Sequence, residues 1–281
     1  MSFPLLPEAP GSYQWLDQIP PDCDVLTCLN ADAGSEVFFC REQASGQLCI
    51  AKASGCPEDI AQFRNEYRIL NAILPQLPVP LRERFSRPMR LEEKAADRPA
   101  AVYLRSYIPG CTLETLVESR PAKPGLTRSE SVRYTLSVLE LIAALHGTAP
   151  PLLHLDIKPQ NIIVTPEENC ALIDFGIARF EGSAADPETV PGTPAVAPPE
   201  QFANARTDRR SDLYAAGVLL RYCLTGEYAE KTDYDIEADL RAVIRKAVRP
   251  APEERFRSAE EMAEALKQTS GEQITDHRCS G

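Results

Sequence analysis

The sequence predicts an α+β fold in two lobes: a small antiparallel β lobe with one helix, and a larger, mainly helical lobe. The first observation is a strand-like composition on both sides of a single helical pattern at 54–74. The second is the Pro-Gly pair at 109–110, which interrupts the pattern. The third is the helical periodicity that prevails afterwards. We therefore expect a lead-in at 1–21, a small lobe at 22–108, a large lobe at 109–270 and a tail at 271–281.

The small lobe is predicted to contain two strand pairs around its helix. The segments "SEVFFCRE" and "GQLCIAKA" are rich in strand-forming residues, and the turn-forming residues "QASG" join them. A second pair is predicted at 84–93 and 99–108. Between the two pairs, apolar side chains recur at helical spacing, at Ile60, Phe63, Tyr67, Leu70 and Leu74.

The large lobe is predicted to be helical. Thr127 and Glu130 form a capping box at the start of a helix that ends at Gly147. Two short strands are indicated by "IIVT" and "CALIDF". Residues 177–207 are poor in apolar side chains and predict a long loop. Further helices are predicted near 209–225, 236–249 and 258–268.

The composition disfavours several classes of function. A formal net charge of −11 argues against binding to nucleic acids or anionic membranes, because both are bound by basic surfaces. Nine cysteines, an odd number without a C-x-x-C pair, indicate neither a disulfide framework nor a zinc site. The N-terminus lacks the features of a secretory signal, and no apolar run approaches the ~20 residues that span a bilayer. We expect a cytoplasmic protein without a sensor or membrane segment.

The segment "HLDIKPQN" and the later "IDFG" contain polar residues suited to phosphoryl transfer. Pro159 prevents a regular helix in the first segment, so Asp156, Lys158 and Asn161 are expected on a loop. Oxygen atoms of Asn161 and Asp174 suit Mg²⁺, with Mn²⁺ as an alternative. Lys158 can neutralise a transferring phosphoryl group, and Asp156 can orient a hydroxyl and accept its proton.

The ordered set "HLDIKPQN", "DFG" and "APPE" resembles the signature of the eukaryotic-like (Hanks-type) Ser/Thr protein kinases. The wording "GTPAVAPPEQF" is similar to bacterial members of that family. The resemblance covers residues 25–268, nearly the whole chain. It implies a bilobal protein-kinase fold. It also implies transfer of the γ-phosphoryl group of Mg-ATP to a Ser or Thr hydroxyl of a protein substrate.

The resemblance assigns roles to individual residues. Lys52 would hold the α- and β-phosphates and pair with Glu66, and Thr193 would hydrogen-bond Asp156 or Lys158. The residues expected to be catalytic are Asp156, Lys158, Asn161, Lys52, Glu66 and Thr193. Those expected to contact the nucleotide are Lys52, Gly34, Ser35, Val37, Ile50, Ser106, Ile108, Ile163 and Asp174. The metal ligands would be Asn161 and Asp174.

Two supporting contacts are also implied in the large lobe. Glu200 of "APPE" would form an ion pair with Arg255. Asp212 would accept backbone N–H bonds from the loop that carries Asp156, although its place near a helix start also suits a helix cap.

The sequence departs from the family pattern near the expected nucleotide. Asn30, Asp32 and Ser35 stand where three glycines belong, and the carboxylate of Asp32 would face phosphates. Ile50 replaces a smaller alanine and narrows the adenine pocket. Arg105 stands at the back of this pocket, where a buried guanidinium needs a partner; Glu66 and Asp174 are the candidates.

Leu155 replaces the arginine that binds an activation-segment phosphate in much of the family. We therefore expect activity that does not require phosphorylation of this segment, even if Ser183, Thr189 or Thr193 becomes phosphorylated. Two alternatives remain open: a pseudokinase that binds nucleotide or a partner without turnover, and a small-molecule kinase. The substrate, the input signal and the oligomeric state are not predicted.

Overall fold

The computed structural model describes residues 13–32, 34–94, 100–120, 125–183, 193–202 and 206–269. The strands are β1 (Cys23–Ala31), β2 (Ser35–Glu42), β3 (Leu48–Ser54), β4 (Pro88–Lys94), β5 (Ala100–Ser106), β6 (Cys111–Thr112), β7 (Leu152–Leu153), β8 (Ile162–Val164), β9 (Cys170–Leu172) and β10 (Arg179–Phe180). The α-helices are α1 (Pro57–Ile73), α2 (Val79–Arg82), α3 (Leu113–Glu118), α4 (Arg128–His146), α5 (Pro199–Phe202), α6 (Arg209–Thr225), α7 (Ala238–Ala247) and α8 (Ala259–Thr269). Within the described ranges, no helix combines the length and apolarity needed to cross a membrane.

The chain divides into two compact units. The first comprises Met1–Pro109 with Ala171–Ala178, and the second comprises Gly110–Cys170 with Arg179–Gly281. The first contains a five-stranded antiparallel sheet in the order β1-β2-β3-β5-β4, together with α1. The second is mainly helical. The predicted α+β fold class is therefore confirmed.

Strand alternation gives the sheet of the first unit two different faces. One face carries an apolar cluster that includes Phe38 and Leu104, both fully buried. On the other face, Tyr103 of β5 packs with Phe63 of α1, and Lys52 of β3 points to the same side. The sheet thus separates a mainly apolar layer from the layer that holds Lys52 and Glu66.

Part of the N-terminal lead-in, predicted to be irregular, packs on the apolar face. A short 3-10 helix spans Leu16–Gln18. Trp15 and Ile19 are 4% and 8% exposed and belong to the same cluster as Phe38. Burying these side chains fixes the segment on the sheet.

Capping residues and close packing define the helices of the second unit. The predicted capping box of Thr127 and Glu130 is present at the start of α4. Asp208 caps the N-terminus of α6, and Gly226, with φ of 73°, ends that helix. Helix α4 packs on α6 and α8, and α7 also packs on α6 and α8. The short strands pair antiparallel, β6 with β8 and β7 with β10.

Candidate active site

In the first unit, Lys52 binds two carboxylates. Lys52 Nζ lies 3.1 Å from Glu66 Oε2 and 3.1 Å from Asp174 Oδ2. Burial disfavours the ammonium, but the charges of Asp174 and Glu66 outweigh this and raise the pKa of Lys52. Loss of hydration would raise the pKa of Asp174, whereas the ammonium of Lys52 holds it well below its usual range. Strand β3 and helix α1 thus present a fixed cation suited to phosphate oxygens.

The segment of Asp174 is held by α1 and by aromatic packing. Asp174 has a φ of 67°, and the fully buried Phe175 that follows packs against Phe85 with ring centroids 6.0 Å apart. The amide of Asn65 donates to the carbonyl oxygens of Gly176 at 2.9 Å and of Ala178 at 2.8 Å. Asn65 was not predicted from the sequence, although its place directly before Glu66 on α1 marks it as a neighbour.

The end of the β1–β2 hairpin forms without the three glycines. The Ser54 hydroxyl donates to the carbonyl oxygen of Gly34 at 2.7 Å, and the N–H of Asp32 donates to Ser35 O at 2.9 Å. The amide of Asn30 donates to Asp32 Oδ2 at 2.9 Å. The carboxylate that was expected to face phosphates is therefore engaged by an amide of its own turn.

The other residues expected to contact nucleotide in the first unit lie along the sheet. Val37 pairs with Lys52 across β2 and β3, and Ile50 lies two residues before Lys52 on the same face. Ile50 is buried and Val37 is half-buried. Ser106 ends β5 and Ile108 follows it, both half-buried.

Arg105 does not form the expected ion pair with Glu66 or Asp174 among the described residues. Its side chain is buried, with 6% exposure, beside Ile50 in the sheet register. Among the described residues, neither Glu66 nor Asp174 forms an ion pair with it, and Arg105 Nε has no hydrogen-bond partner. Lys52 binds one oxygen of each carboxylate, and Glu66 Oε1, like Arg105 Nε, has no hydrogen-bond partner among the described residues. The positive charge of Arg105 still contributes to lowering the pKa of Asp174.

In the second unit, the four residues predicted to be catalytic are in contact. Lys158 Nζ lies 2.8 Å from Asp156 Oδ2. The Thr193 hydroxyl accepts a bond from Lys158 Nζ at 3.0 Å and donates to Asp156 Oδ1 at 3.1 Å. Asn161 Nδ2 donates to Asp156 Oδ2 at 2.8 Å. Pro159 begins the 3-10 turn that contains Asn161. Both oxygens of Asp156 are thereby fixed in direction.

Asp212 anchors the loop that carries Asp156. It is fully buried and accepts the backbone N–H groups of His154 at 3.0 Å and Leu155 at 2.8 Å. Nε2 of His146, which the sequence did not indicate, lies 2.9 Å from Asp212 Oδ2, the oxygen that also accepts the N–H of His154. Leu155 has a φ of 64°, a strained value for a branched side chain that these bonds stabilise. The cap of α6 is Asp208, so Asp212 serves as the anchor.

Glu200 and Arg255 form a buried bidentate ion pair. The two N–O distances are 2.7 and 2.8 Å, and the Ser211 hydroxyl donates to Glu200 Oε1 at 2.8 Å. Burial would raise the pKa of Glu200, but the hydrogen bonds from Arg255 lower it. Gln201, which was not predicted, donates from Nε2 to Leu155 O at 2.9 Å. The segment after Thr193 is thus attached to the loop that carries Asp156.

The predicted site residues fall into one set in each unit. The first set is Gly34, Ser35, Val37, Ile50, Lys52, Glu66, Ser106, Ile108 and Asp174. The second set is Asp156, Lys158, Asn161, Ile163 and Thr193. Ile163 lies in β8 and is half-buried. Direct contacts join the charged members within each set.

The residues predicted as metal ligands carry suitable oxygen atoms. The amide nitrogen of Asn161 is used by Asp156, so the amide oxygen is the atom left for a cation. Asp174 offers a carboxylate that stays ionised. Both are ligands that a hard divalent cation accepts. In the described part of the chain, no cluster of three or more His, Cys, Asp or Glu residues forms a separate metal site.

Comparison with known proteins shows the family to which the chain belongs. A family model described as a protein kinase domain matches residues 33–274. Serine/threonine-protein kinase F of Synechocystis sp. is 32% identical over 189 residues, which cover 60% of this chain and 37% of that protein. Serine/threonine-protein kinase pkn2 of Myxococcus xanthus is 31% identical over 218 residues, 72% of this chain and 24% of that protein. Serine/threonine-protein kinase PknL of Mycobacterium tuberculosis is 34% identical over 163 residues, 51% and 39% respectively.

The chain therefore spans well under half the length of these curated relatives. The family match nevertheless covers most of the chain and includes every residue predicted for the site. The chain belongs to the protein kinase family, with bacterial serine/threonine kinases among its relatives.

Proposed function

We propose that the chain is a serine/threonine protein kinase that transfers the γ-phosphoryl group of Mg-ATP to a hydroxyl group of a protein. The observation that carries this proposal is the contact of Asp156 with Lys158, Asn161 and Thr193 in the second unit. A carboxylate with fixed direction beside an ammonium group suits the orientation of an acceptor hydroxyl and the stabilisation of a transferring phosphoryl group.

In this proposal Asp156 accepts the proton of the acceptor hydroxyl. The hydroxyl oxygen forms a bond to the γ-phosphorus, the bond from that phosphorus to the bridging oxygen breaks, and ADP leaves. Lys158 stabilises the negative charge on the phosphoryl oxygens. Lys52, held by Glu66, binds the α- and β-phosphates. A divalent cation, Mg²⁺ or Mn²⁺, would supply further charge neutralisation when bound, and Asp174 of the first unit and Asn161 of the second unit are the residues predicted to hold it.

The nucleotide contacts of the proposal remain predictions for each unit. In the first unit they are Gly34, Ser35, Val37, Ile50, Ser106 and Ile108, and in the second unit Ile163. We also propose a cytoplasmic location. The described cysteines are free thiols, which supports a reducing compartment.

The test is phosphate transfer from labelled ATP with Mg²⁺ to a generic basic protein, using the wild type, Asp156→Asn and the exposed control Asp24→Asn. We expect labelling by the wild type and the control, and its loss in Asp156→Asn. If ATP raises the melting temperature of the wild type but the wild type transfers no label, the proposal is contradicted and a nucleotide-binding pseudokinase is favoured. Labelling of small-molecule acceptors alone would favour the other alternative.

Activity without phosphorylation of the activation segment is a further part of the proposal. Leu155 is buried and apolar, so its position offers no guanidinium to a phosphate. The Thr193 hydroxyl is engaged by Lys158 and Asp156, whereas Thr189 lies outside the described residues. We expect phosphatase-treated protein, checked by mass spectrometry, to keep its turnover. Loss of turnover on dephosphorylation would refute this part alone.

A further inference from the structure

The N-terminal lead-in is bonded to the hairpin that carries Gly34 and Ser35. The backbone N–H of Gln14 donates to Glu36 Oε1 at 2.6 Å, and that of Trp15 donates to Glu36 Oε2 at 2.8 Å. Glu36 directly follows Ser35 in β2. Two backbone groups ahead of the sheet thus bind the residue next to the hairpin end.

The hydrogen bonds from Gln14 and Trp15 satisfy the buried carboxylate of Glu36. Glu36 is 5% exposed, and among the described residues it forms no ion pair. A buried carboxylate is costly unless donors reach its oxygens, so losing the two N–H groups would drive Glu36 toward water. Trp15 and Ile19 are buried in the apolar cluster, which keeps the donors in place. The ring of Tyr13 adds an edge contact to Phe38 at 5.8 Å.

The hairpin end is held from its other face as well. The Ser54 hydroxyl donates to Gly34 O at 2.7 Å and accepts the N–H of Cys56 at 3.0 Å. Strand alternation places Glu36 on the apolar face and Val37 on the face of Lys52. The hairpin end is therefore clamped between the lead-in on one side and the start of α1 on the other.

We propose that Glu36 is a positioning residue, which binds the lead-in at Gln14 and Trp15 and thereby sets the position of the hairpin end over the nucleotide phosphates. The inference rests on the proposed function, which assigns Gly34 and Ser35 to the nucleotide. A turn without the three glycines has fewer backbone conformations with which to fit the phosphates, so its fit depends on where the residues next to it are held. The lead-in thereby becomes a control point for nucleotide affinity.

The experiment compares Glu36→Gln and Gln14→Pro with Gln14→Ala and Asp17→Asn. Proline at 14 removes one donor N–H, whereas alanine keeps it, and Asp17 is an exposed carboxylate of the same segment. Dissociation constants for Mg-ATP and for adenosine are measured well below the melting temperature, together with kcat, KM and amide hydrogen exchange. We expect Glu36→Gln and Gln14→Pro to weaken Mg-ATP about tenfold. In these two variants the adenosine affinity, kcat and the KM for a peptide should stay at their wild-type values. The controls Gln14→Ala and Asp17→Asn should resemble the wild type in every measurement.

Two results would overturn the inference. Equal weakening of Mg-ATP and adenosine would show a merely structural role for Glu36. Unchanged amide exchange at residues 34–37 in both variants would show that the clamp does not hold the hairpin, whether or not nucleotide binds. A wild type that binds no nucleotide, with faster hairpin exchange in the variants, would instead support the clamp and refute the proposed function.

Discussion

At the scale of single residues, Thr193 connects the two charged groups proposed for catalysis. Its hydroxyl accepts from Lys158 and donates to Asp156, at 3.0 and 3.1 Å. Because Lys158 Nζ also lies 2.8 Å from the other oxygen of Asp156, two hydrogen bonds and one ion pair join the three side chains in a closed ring. The ring fixes the direction of Asp156 more firmly than the ion pair alone.

We expect Thr193→Val to lower kcat by about tenfold or more, because the isosteric side chain removes the bridging hydroxyl and lets Asp156 rotate. Thr193→Ser keeps the hydroxyl and should retain most of the activity. Steady-state kinetics with saturating ATP and peptide measure the effect, and the melting temperature checks folding. A kcat for Thr193→Val equal to that of the wild type would show that the bridge does not position Asp156.

At this scale the sequence predicts residue types better than their partners. The motif spacing brought out Asp156, Lys158, Asn161 and Asp174, because each is required by the chemistry at a fixed place along the chain. It did not identify partners that depend on tertiary packing, such as Asn65, His146 and Gln201. Arg105 shows the converse limit: its burial was anticipated, but neither of its two candidate partners, Glu66 and Asp174, forms an ion pair with it among the described residues.

At the scale of elements, α6 and α7 approach closely at Gly217. A Cβ atom added there would lie 2.5 Å from Ala247 Cβ and 3.1 Å from a methyl group of Val248. Alanine in place of glycine favours a helix by about 1 kcal/mol, whereas overpacking a core costs about 1–3 kcal/mol. The short distance to Ala247 places this site at the upper end of that range.

We therefore expect Gly217→Ala to lower the free energy of unfolding by about 2 kcal/mol. The double variant Gly217→Ala with Ala247→Gly removes the clashing methyl group and should recover part of the loss. Urea unfolding followed by circular dichroism measures both. A higher free energy of unfolding for Gly217→Ala would show that α6 and α7 move apart without cost and that the helix propensity of alanine determines the change in stability.

Elements with strong local signals were predictable, and those without such signals were not. The capping box of Thr127 and Glu130 and the C-terminal glycine gave the ends of α4, and α6 has the bounds that its periodicity indicated. The short helices α2, α3 and α5 and strand β10 lie in segments with little periodicity and depend on tertiary contacts. The segment 177–207 was predicted to be a loop, but it contains β10 and α5, which have too little periodicity to be predicted.

At the scale of the whole molecule, α+β class follows from the order of local patterns, but the packing of the lead-in does not. Trp15 lies in a proline-rich stretch without strand or helix period, so only the completed sheet shows where it is buried. The same holds for Glu36, whose partners are backbone N–H groups that carry no sequence signal.

The ion pairs of the second unit contribute to stability according to their burial and not their length. Glu200–Arg255 and Glu261–Lys246 both have an N–O distance of 2.7 Å. The first pair is 8% and 0% exposed and the second 39% and 44%. Removing one partner of a buried pair costs about 3–5 kcal/mol, whereas an exposed pair contributes about 0–1 kcal/mol.

We expect Glu200→Gln to destabilise the protein by several times more than Glu261→Gln at pH 7, and to change its response to acid. The folded pKa of Glu200 lies below the ordinary value of 4.5. The stability that its charge adds is therefore complete above that value and is lost as the pH falls through the folded pKa. Urea unfolding by circular dichroism from about pH 6 to pH 3 should show a smaller loss of stability in Glu200→Gln than in the wild type. Parallel curves of stability against pH for Glu200→Gln and the wild type would mean that Glu200 has the same pKa in the folded and unfolded protein. A Glu261→Gln variant as unstable as Glu200→Gln would mean that burial does not set the strength of these ion pairs.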